Sequence, residues 1–262
     1  MTPSTSKTVT IASLYRYPVK GLSPESLHEA VLERDGYFPH DRLFAIENGP
    51  SGFDPGRPAH EPKIKFLMLM RHEALARLAT RYEPATGVLT IAQEGRVAVE
   101  ADLAAPEGRR AVEAFMAGYL PDALRGEPRL LAAPEGFRFT DSPRGYVSLL
   151  NLASVAALED MTGVPVDPLR FRANLHLTGL APWAELDLVG RVLNGPNGVV
   201  LRVIKRTERC AATNVDPATG IRDLTIPRTL DRNLGHTDCG VYAEVLAGGR
   251  IATGDDVVLA DA

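Results

Sequence analysis

The chain has 262 residues, which is enough for one or two domains and a sizeable hydrophobic core. Its 29 lysine and arginine residues are outnumbered by 33 aspartate and glutamate residues, so the formal net charge is −4. This acidic balance disfavours a general nucleic-acid-binding protein, because such proteins present a net basic face. Hydrophobic residues make up 45% of the chain and charged residues 24%, which excludes disorder as the dominant state.

The sequence predicts a cytoplasmic protein that does not bind membranes. No apolar stretch approaches the roughly 20 residues needed to cross a bilayer. The segment from Met1 to Thr10 has neither the apolar core nor the small-residue cleavage pattern of a secretory signal. Only two cysteines are present, Cys210 and Cys239, which excludes a disulfide framework and favours a reducing compartment.

Short elements are predicted along the first half of the chain. Strands are expected where apolar residues alternate or cluster, over residues 9–17, 43–46, 65–70, 88–91 and 96–99. Proline and glycine predict a long loop over 48–62. Apolar residues at helical spacing predict helices at 75–82 and 112–119.

The second half combines one predicted helix with several strands. The irregular stretch 122–142 predicts a crossing between two domains, residues 1–125 and 126–262. Asn151 is a candidate N-cap for a helix that ends at Gly163. Strands are predicted over residues 175–177, 185–192, 199–205, 241–245 and 257–259. The predicted class is α+β, mainly β, with a barrel or folded sheet in the C-terminal half.

The stretch around Cys210 is the most informative in the sequence. A β-rich run, 199–204, leads into it, and a turn signal follows at 216–220, so Cys210 is predicted at the end of a strand. The cations shortly before it are Lys205, Arg206 and Arg209. Nearby cations lower the pKa of a thiol and favour the thiolate, whereas Glu208 acts the opposite way. A buried, inert barrel cysteine remains the alternative.

A second polar cluster spans residues 170–174. Side chains alternate along a strand, so a strand here predicts Arg170, Arg172 and Asn174 on one face, where they can bind a phosphate or the edge of a heterocycle. A solvent-facing strand is the alternative. The sequence around His236 and Cys239 lacks the ligand spacing of a zinc site, and no phosphate-binding glycine motif occurs.

Together these motifs resemble the MOSC family, named for the C-terminal domain of molybdenum cofactor sulfurase, and especially its amidoxime-reducing branch. The 17–20 segment, Tyr-Pro-Val-Lys, followed by Asp41-Arg42, resembles the family's N-terminal β-barrel domain. Residues 172–174 resemble its Arg-Pro-Asn element. Residues 209–220 resemble its long Cys-x-x-Thr-x-Val-Asp-Pro-x-Thr-Gly signature. The chain has Glu208 where the amidoxime-reducing proteins have serine.

The resemblance implies a MOSC-type β-barrel, a smaller β-rich N-terminal domain and a molybdenum cofactor, Mo-molybdopterin. It implies that Cys210 is the catalytic residue and binds the metal. The residues it assigns to cofactor binding are Lys20, Arg42, Arg172, Asn174, Arg209 and Thr213. Arginine side chains suit this role because their paired N–H groups bind phosphate oxygens bidentately.

Three functions are compatible with these observations. The first is an oxidoreductase that reduces small N-hydroxylated or N-oxide substrates with electrons from a separate electron-transfer protein. The second is a sulfur or cofactor carrier that uses a persulfide on Cys210. The third is a small-molecule-binding barrel with an inert cysteine. With two cysteines, the chain cannot hold a four-cysteine iron-sulfur cluster.

Overall fold

The computed structural model describes residues 8–260. Within this range there are three α-helices, α1 (Pro106–Tyr119), α2 (Leu152–Thr162) and α3 (Ile226–Leu234). The strands are β1 (Thr8–Arg16), β2 (Glu25–Leu27), β3 (Glu29–Leu32), β4 (Phe44–Ile46), β5 (Leu78–Glu83), β6 (Val88–Gln93), β7 (Arg96–Asp102), β8 (Leu130–Ala132), β9 (Val147–Asn151), β10 (Leu175–Thr178), β11 (Val192–Asn194), β12 (Val200–Glu208), β13 (Asp238–Ala247), β14 (Gly249–Ala252) and β15 (Asp256–Leu259). The segment predicted to lack a secretory signal lies mostly outside the described residues. None of the helices found between residues 8 and 260 is long and apolar enough to span a bilayer.

Seven of the strands described above close into a barrel. Their order around it is β1, β10, β9, β13, β12, β11 and β15, and β15 pairs back onto β1. All neighbours are antiparallel except β9 and β10, which are parallel. The predicted class, mainly β with a barrel and a few helices, is confirmed.

The barrel closes through the first strand of the chain. Alternation along β1 directs Val9 and Ile11 into the core, and a bulge after Ile11 lets Leu14 point inward as well. These side chains pack against apolar residues from the C-terminal half, among them Leu175 and Val241. The core of the barrel is therefore built from both ends of the sequence.

A second core lies outside the barrel. Strands β5, β6 and β7 form an antiparallel sheet, and α1 packs on β7. Pro106 occupies the first turn of α1, where a missing N–H costs nothing, and Val112 and Met116 bury the helix against Leu89 and Ile91. The domain boundary predicted at residue 125 stays a prediction. Strand β1 lies before this boundary, but it pairs within the barrel, whose other strands come from the C-terminal half.

Two predicted elements in the first half are wrong. The helix predicted at 75–82 is a short 3-10 helix, Glu73–Arg77, followed by β5. Leu78 and Thr80 are buried alternately while the backbone pairs with β6, so tertiary pairing overrides the helical spacing. Residues 65–70, all within the described range, form no strand, and Phe66 makes a single bridge to Glu47.

In the second half, one predicted strand is wrong and one helix was not predicted. The strand predicted at 185–192 begins as a 3-10 helix, Ala184–Leu188, and only Val192 joins β11. Helix α2 is confirmed, since the Asn151 side chain accepts a hydrogen bond from the Ala153 N–H at its start. Helix α3 was not predicted, although proline in its first turn and Gly235 after its end are typical helix boundaries.

We expect Ile11→Ala to lower the free energy of unfolding by about 2 to 5 kcal/mol, because it leaves a cavity in the barrel core. Ile11 is completely buried. Ile221→Ala is the matched control, since Ile221 is 54% exposed and its loss should cost less than about 0.5 kcal/mol. Chemical denaturation of both full-length variants measures the difference, and equal destabilisation would contradict the proposed role of β1.

Candidate functional site

A cavity of about 450 Å³ lies at one end of the barrel, between β9, β12 and β13 and the loops of the N-terminal half. Its volume falls within the range of small-molecule and cofactor sites. All the site residues predicted from the sequence line this cavity: Lys20, Arg42, Arg172, Asn174, Arg209, Cys210 and Thr213. The structure therefore brings them together, while the function of each stays a prediction.

Cys210 lies two residues beyond the end of β12, as predicted, and is partly exposed. It precedes a 3-10 helix, Ala211–Asn214. The Thr213 hydroxyl donates to the Cys210 carbonyl over 2.9 Å, and the Thr213 N–H donates to the same oxygen over 3.1 Å. Thr213 thus fixes the backbone that presents the thiol.

The remaining signature residues shape the turn after the 3-10 helix. An Asp216 Oδ1 atom accepts hydrogen bonds of 2.8 Å from the N–H groups of Ala218 and Thr219. Gly220 follows with φ +68°, a left-handed conformation that favours glycine. The Asn214 side chain accepts from the Ile226 N–H at the start of α3. These hydrogen bonds hold the turn and connect it to the start of α3.

Arg170 holds this cysteine loop against the barrel. Its guanidinium binds Asp223 bidentately at 2.7 and 2.8 Å and Asp216 at 3.2 Å, and its side chain is 1% exposed. The strand predicted over 170–174 is wrong, because Pro168–Phe171 form a 3-10 helix and Arg172 is left-handed with φ +53°. Arg170 therefore points to the loop and does not share a strand face with Arg172 and Asn174.

Two guanidinium groups enclose the buried ring of Tyr17. The Cζ atoms of Arg42 and Arg172 each lie 4.4 Å from the ring centroid. Arg42 pairs with Asp41 and donates to the Arg172 carbonyl. Burial, and then the neighbouring Arg42, lower the pKa of Arg172 to about 10, so it stays protonated at neutral pH. The pair joins the N-terminal half to the barrel.

Lys20 also lines the cavity. Its ammonium donates to Asp141 over 2.6 Å and to the Phe139 carbonyl over 3.0 Å. Burial lowers the pKa of Lys20, and the Asp141 charge opposes that shift. Lys63 lies 3.8 Å from the same carboxylate. Asp141 is thus the counter-ion of two lysines at the cavity wall.

The side chains of Asn174 and Arg209 form hydrogen bonds with neighbouring segments of the chain. The Asn174 amide oxygen accepts from the Ser148 N–H and hydroxyl, and its nitrogen donates to the Tyr15 carbonyl. Arg209 donates to the carbonyls of Cys239 and Phe171 over 2.6 and 2.8 Å. Asn174 therefore ties β1, β9 and β10 together beside the cavity.

The cavity is strongly cationic although the chain is acidic. Among residues 8–260, nine lysine and arginine residues line it against three acidic residues, Asp41, Asp141 and Glu208. The Nη2 atoms of Arg172 and Arg209 are buried and have no hydrogen-bond partner within the described range. Unpaired buried donors of this kind suit an anionic ligand, so the residues fit a pterin cofactor that carries a phosphate.

Cys239 has a different environment from Cys210. It is fully buried among apolar residues, and this burial raises the pKa of its thiol to about 12. It is therefore a neutral core residue at physiological pH. In the part of the chain that the structure describes, no group of three histidine, cysteine or acidic residues is placed to hold a metal ion.

Comparisons with known proteins define the class. A family model for the MOSC N-terminal beta barrel domain matches residues 8–120, and one for the MOSC domain matches residues 137–258. The chain belongs to the MOSC domain family, and this membership links it to molybdenum-cofactor-associated proteins. No curated protein sequence matches it.

The chain is also similar to solved structures. The YUAD protein from Bacillus subtilis is 13% identical, with 96% of this chain and 95% of that chain covered and a TM-score of 0.45. YiiM from Geobacillus stearothermophilus is 22% identical, with 44% of this chain and 54% of that chain covered and a TM-score of 0.34.

Several cavity residues were not predicted from the sequence. Tyr146, Tyr242 and Thr207 line it from the barrel, Lys63 from a short 3-10 helix and Asp141 from a loop. Only Thr207 lies close to the signature, so proximity to Cys210 was the one signal that pointed to it. The others reach the cavity through long-range packing, which leaves no local pattern.

We expect Arg170→Ala to lower the free energy of unfolding by about 1.5 to 3 kcal/mol, the usual value of hydrogen bonds to charged groups. It should also make Cys210 react faster with a bulky thiol reagent, because the loop loses its anchor. Arg202→Ala is the control, since Arg202 is half-exposed in its pair with Glu244 and should contribute less than about 1 kcal/mol. Unchanged stability and thiol reactivity in Arg170→Ala would exclude the anchoring role.

Proposed function

We propose that the chain is a molybdenum-cofactor-binding oxidoreductase that reduces N-hydroxylated or N-oxide compounds with electrons from a separate protein. The observation that carries this proposal is the position of Cys210. The signature thiol lies on a cationic cavity in which the buried Nη2 atoms of Arg172 and Arg209 have no hydrogen-bond partner among residues 8–260. Family membership supports the molybdenum cofactor, and the reaction rests on the resemblance to the amidoxime-reducing branch.

Each part of the cavity has a distinct role in this proposal. Cys210 supplies the thiolate ligand, a soft donor suited to a transition metal. Arg172 and Arg209 donate their free N–H groups to the anionic and polar edges of the cofactor. Lys20 and Arg42 add positive charge, and Thr213 fixes the loop that presents the thiol. When bound, the cofactor supplies two-electron oxygen-atom chemistry.

The reaction defines what the protein must provide. Reduction of an N–OH group to N–H consumes two electrons and two protons and releases water. The sequence has no dinucleotide fingerprint and too few cysteines for an iron-sulfur cluster. The electrons must therefore arrive from a partner that docks near the cavity.

We expect Cys210→Ala to abolish molybdenum retention in protein made in a host that synthesises the cofactor. Cys239→Ala is the matched control, because Cys239 lies in the apolar core, and it should retain about as much metal as the wild type. Metal and pterin analysis of the purified proteins measures both.

Two outcomes would contradict the assignment. Equal molybdenum content in wild type and Cys210→Ala would exclude the thiolate ligand. Cyanide-labile sulfur on Cys210 without metal would instead support the sulfur-carrier function. A measurement of cyanide-labile sulfur on the same samples therefore separates the two hypotheses.

We expect the purified, metal-loaded protein to reduce an N-hydroxylated test compound such as benzamidoxime with dithionite-reduced methyl viologen. NADH or NADPH alone should give no turnover, because the chain has no recognisable site for a nicotinamide cofactor. Product formation is followed by chromatography. Turnover with NADH and no added protein would contradict the requirement for a separate electron donor.

A further inference from the structure

One side of the cavity carries residues that the cofactor prediction does not use. Lys205 and Thr207 lie two positions apart on β12. Tyr146 and Tyr242 lie beside Lys205, with ring centroids 6.0 Å apart. All four residues line the cavity, and we call Lys205 and Thr207 the barrel wall.

The cations that line the cavity differ in their pairing. Lys20 binds Asp141, and Arg42 binds Asp41. Lys205 forms no ion pair with any residue in the range 8–260, and its ammonium lies 5.4 and 5.8 Å from the ring centroids of Tyr242 and Tyr146. A positive charge on the barrel wall is therefore not neutralised by a protein carboxylate.

The buried Thr207 side chain is a second feature that points to a ligand at the barrel wall. Its side chain lines the cavity but is only 4% exposed, and its hydroxyl has no hydrogen-bond partner among the described residues. A buried polar group without a partner costs stability, so a hydroxyl kept at this position is consistent with a ligand that completes it.

The chemistry of the two groups selects one kind of ligand. A lysine ammonium only donates hydrogen bonds, and the threonine hydroxyl is free to donate. Two donor groups and one unpaired positive charge match an oxyanion and repel a cation. The neighbouring tyrosine rings offer flat apolar surface to the remainder of the ligand.

We propose that Lys205 and Thr207 form an oxyanion subsite, and that it selects N-oxygenated substrates that carry a carboxylate over those that carry a cationic group. The second clause rests on the proposed reductase function. The phosphate of the cofactor has the same chemistry as a substrate carboxylate. The experiment therefore has to distinguish the two sources.

The test uses full-length protein from a host that cannot make the cofactor, so that its result does not depend on metal loading. Calorimetry measures binding of benzoate, benzamide and benzamidinium, which share a ring and differ in charge. We expect benzoate to bind at least tenfold more tightly than benzamidinium. Comparable affinities for the two would overturn the proposal.

Substitutions then locate the binding. Lys205→Met should weaken benzoate binding about tenfold, and Thr207→Val about two- to tenfold, as expected for one charged and one neutral hydrogen bond. Arg202→Met is the control for Lys205, because Arg202 lies on the same strand and pairs with Glu244. If Lys20→Ala abolishes benzoate binding while Lys205→Met leaves it intact, the subsite is wrongly placed and the proposal fails.

Thr80→Val is the matched control for Thr207→Val. Thr80 is also a buried strand threonine, but its hydroxyl bonds to Ser23 over 2.8 Å. Thr80→Val should lower stability and leave benzoate binding unchanged, whereas Thr207→Val should weaken binding without lowering stability. The reverse pattern would show that Thr207 is structural and would overturn the proposal.

Pterin content distinguishes the two oxyanions. In protein from a cofactor-competent host, unchanged pterin in Lys205→Met and Thr207→Val supports a substrate carboxylate. A loss of pterin parallel to the loss of benzoate binding would keep the subsite but overturn its assignment to the substrate. Failure of the reductase function has a different signature, the absence of molybdenum from the wild type.

Discussion

The site depends on two positively charged guanidinium groups, those of Arg42 and Arg172, that pack against the buried ring of Tyr17. Arg42 and Arg172 come from different halves of the chain, and each guanidinium lies 4.4 Å from the Tyr17 ring centroid. Burial of two neighbouring cations is unfavourable unless other groups compensate. Asp41, the π-face of Tyr17 and backbone carbonyls provide that compensation. Because Tyr17 directly follows β1, this arrangement exists only when β1 is paired in the barrel.

An acidic protein can build a cationic cavity because its charges are distributed unevenly. Excess negative charge lies on the outer surface, where water screens it, while the cavity concentrates cations in a less polar environment. Field lines focus in such a cleft and raise the local concentration of anions. The different pairing of Lys20 and Lys205 then separates two regions of the cavity, one balanced by Asp141 and one without a carboxylate partner in the described chain.

The sequence predicted those features that depend on residues close together in the chain. The position of Cys210 after a strand and the cap at Asn151 both follow from nearby residues, and both agree with the structure. The apolar spacing failed over residues 75–82, where it predicts a helix but β5 pairs with the neighbouring strand β6. Lys20 and Arg42 were assigned only through a family resemblance. The contact between Lys20 and Asp141 joins residues 121 positions apart, and no local pattern encodes it.

Closure of the barrel also sets the order of events during synthesis. Thr8 in β1 pairs with Val258 in β15, so the first strand waits for almost the whole chain to leave the ribosome. At about 5 to 20 residues per second, this delay is on the order of 10 to 50 seconds. Until then, the residues of β1 that pair with β15 present an unpaired strand edge, the kind of segment that can pair with other chains and aggregate.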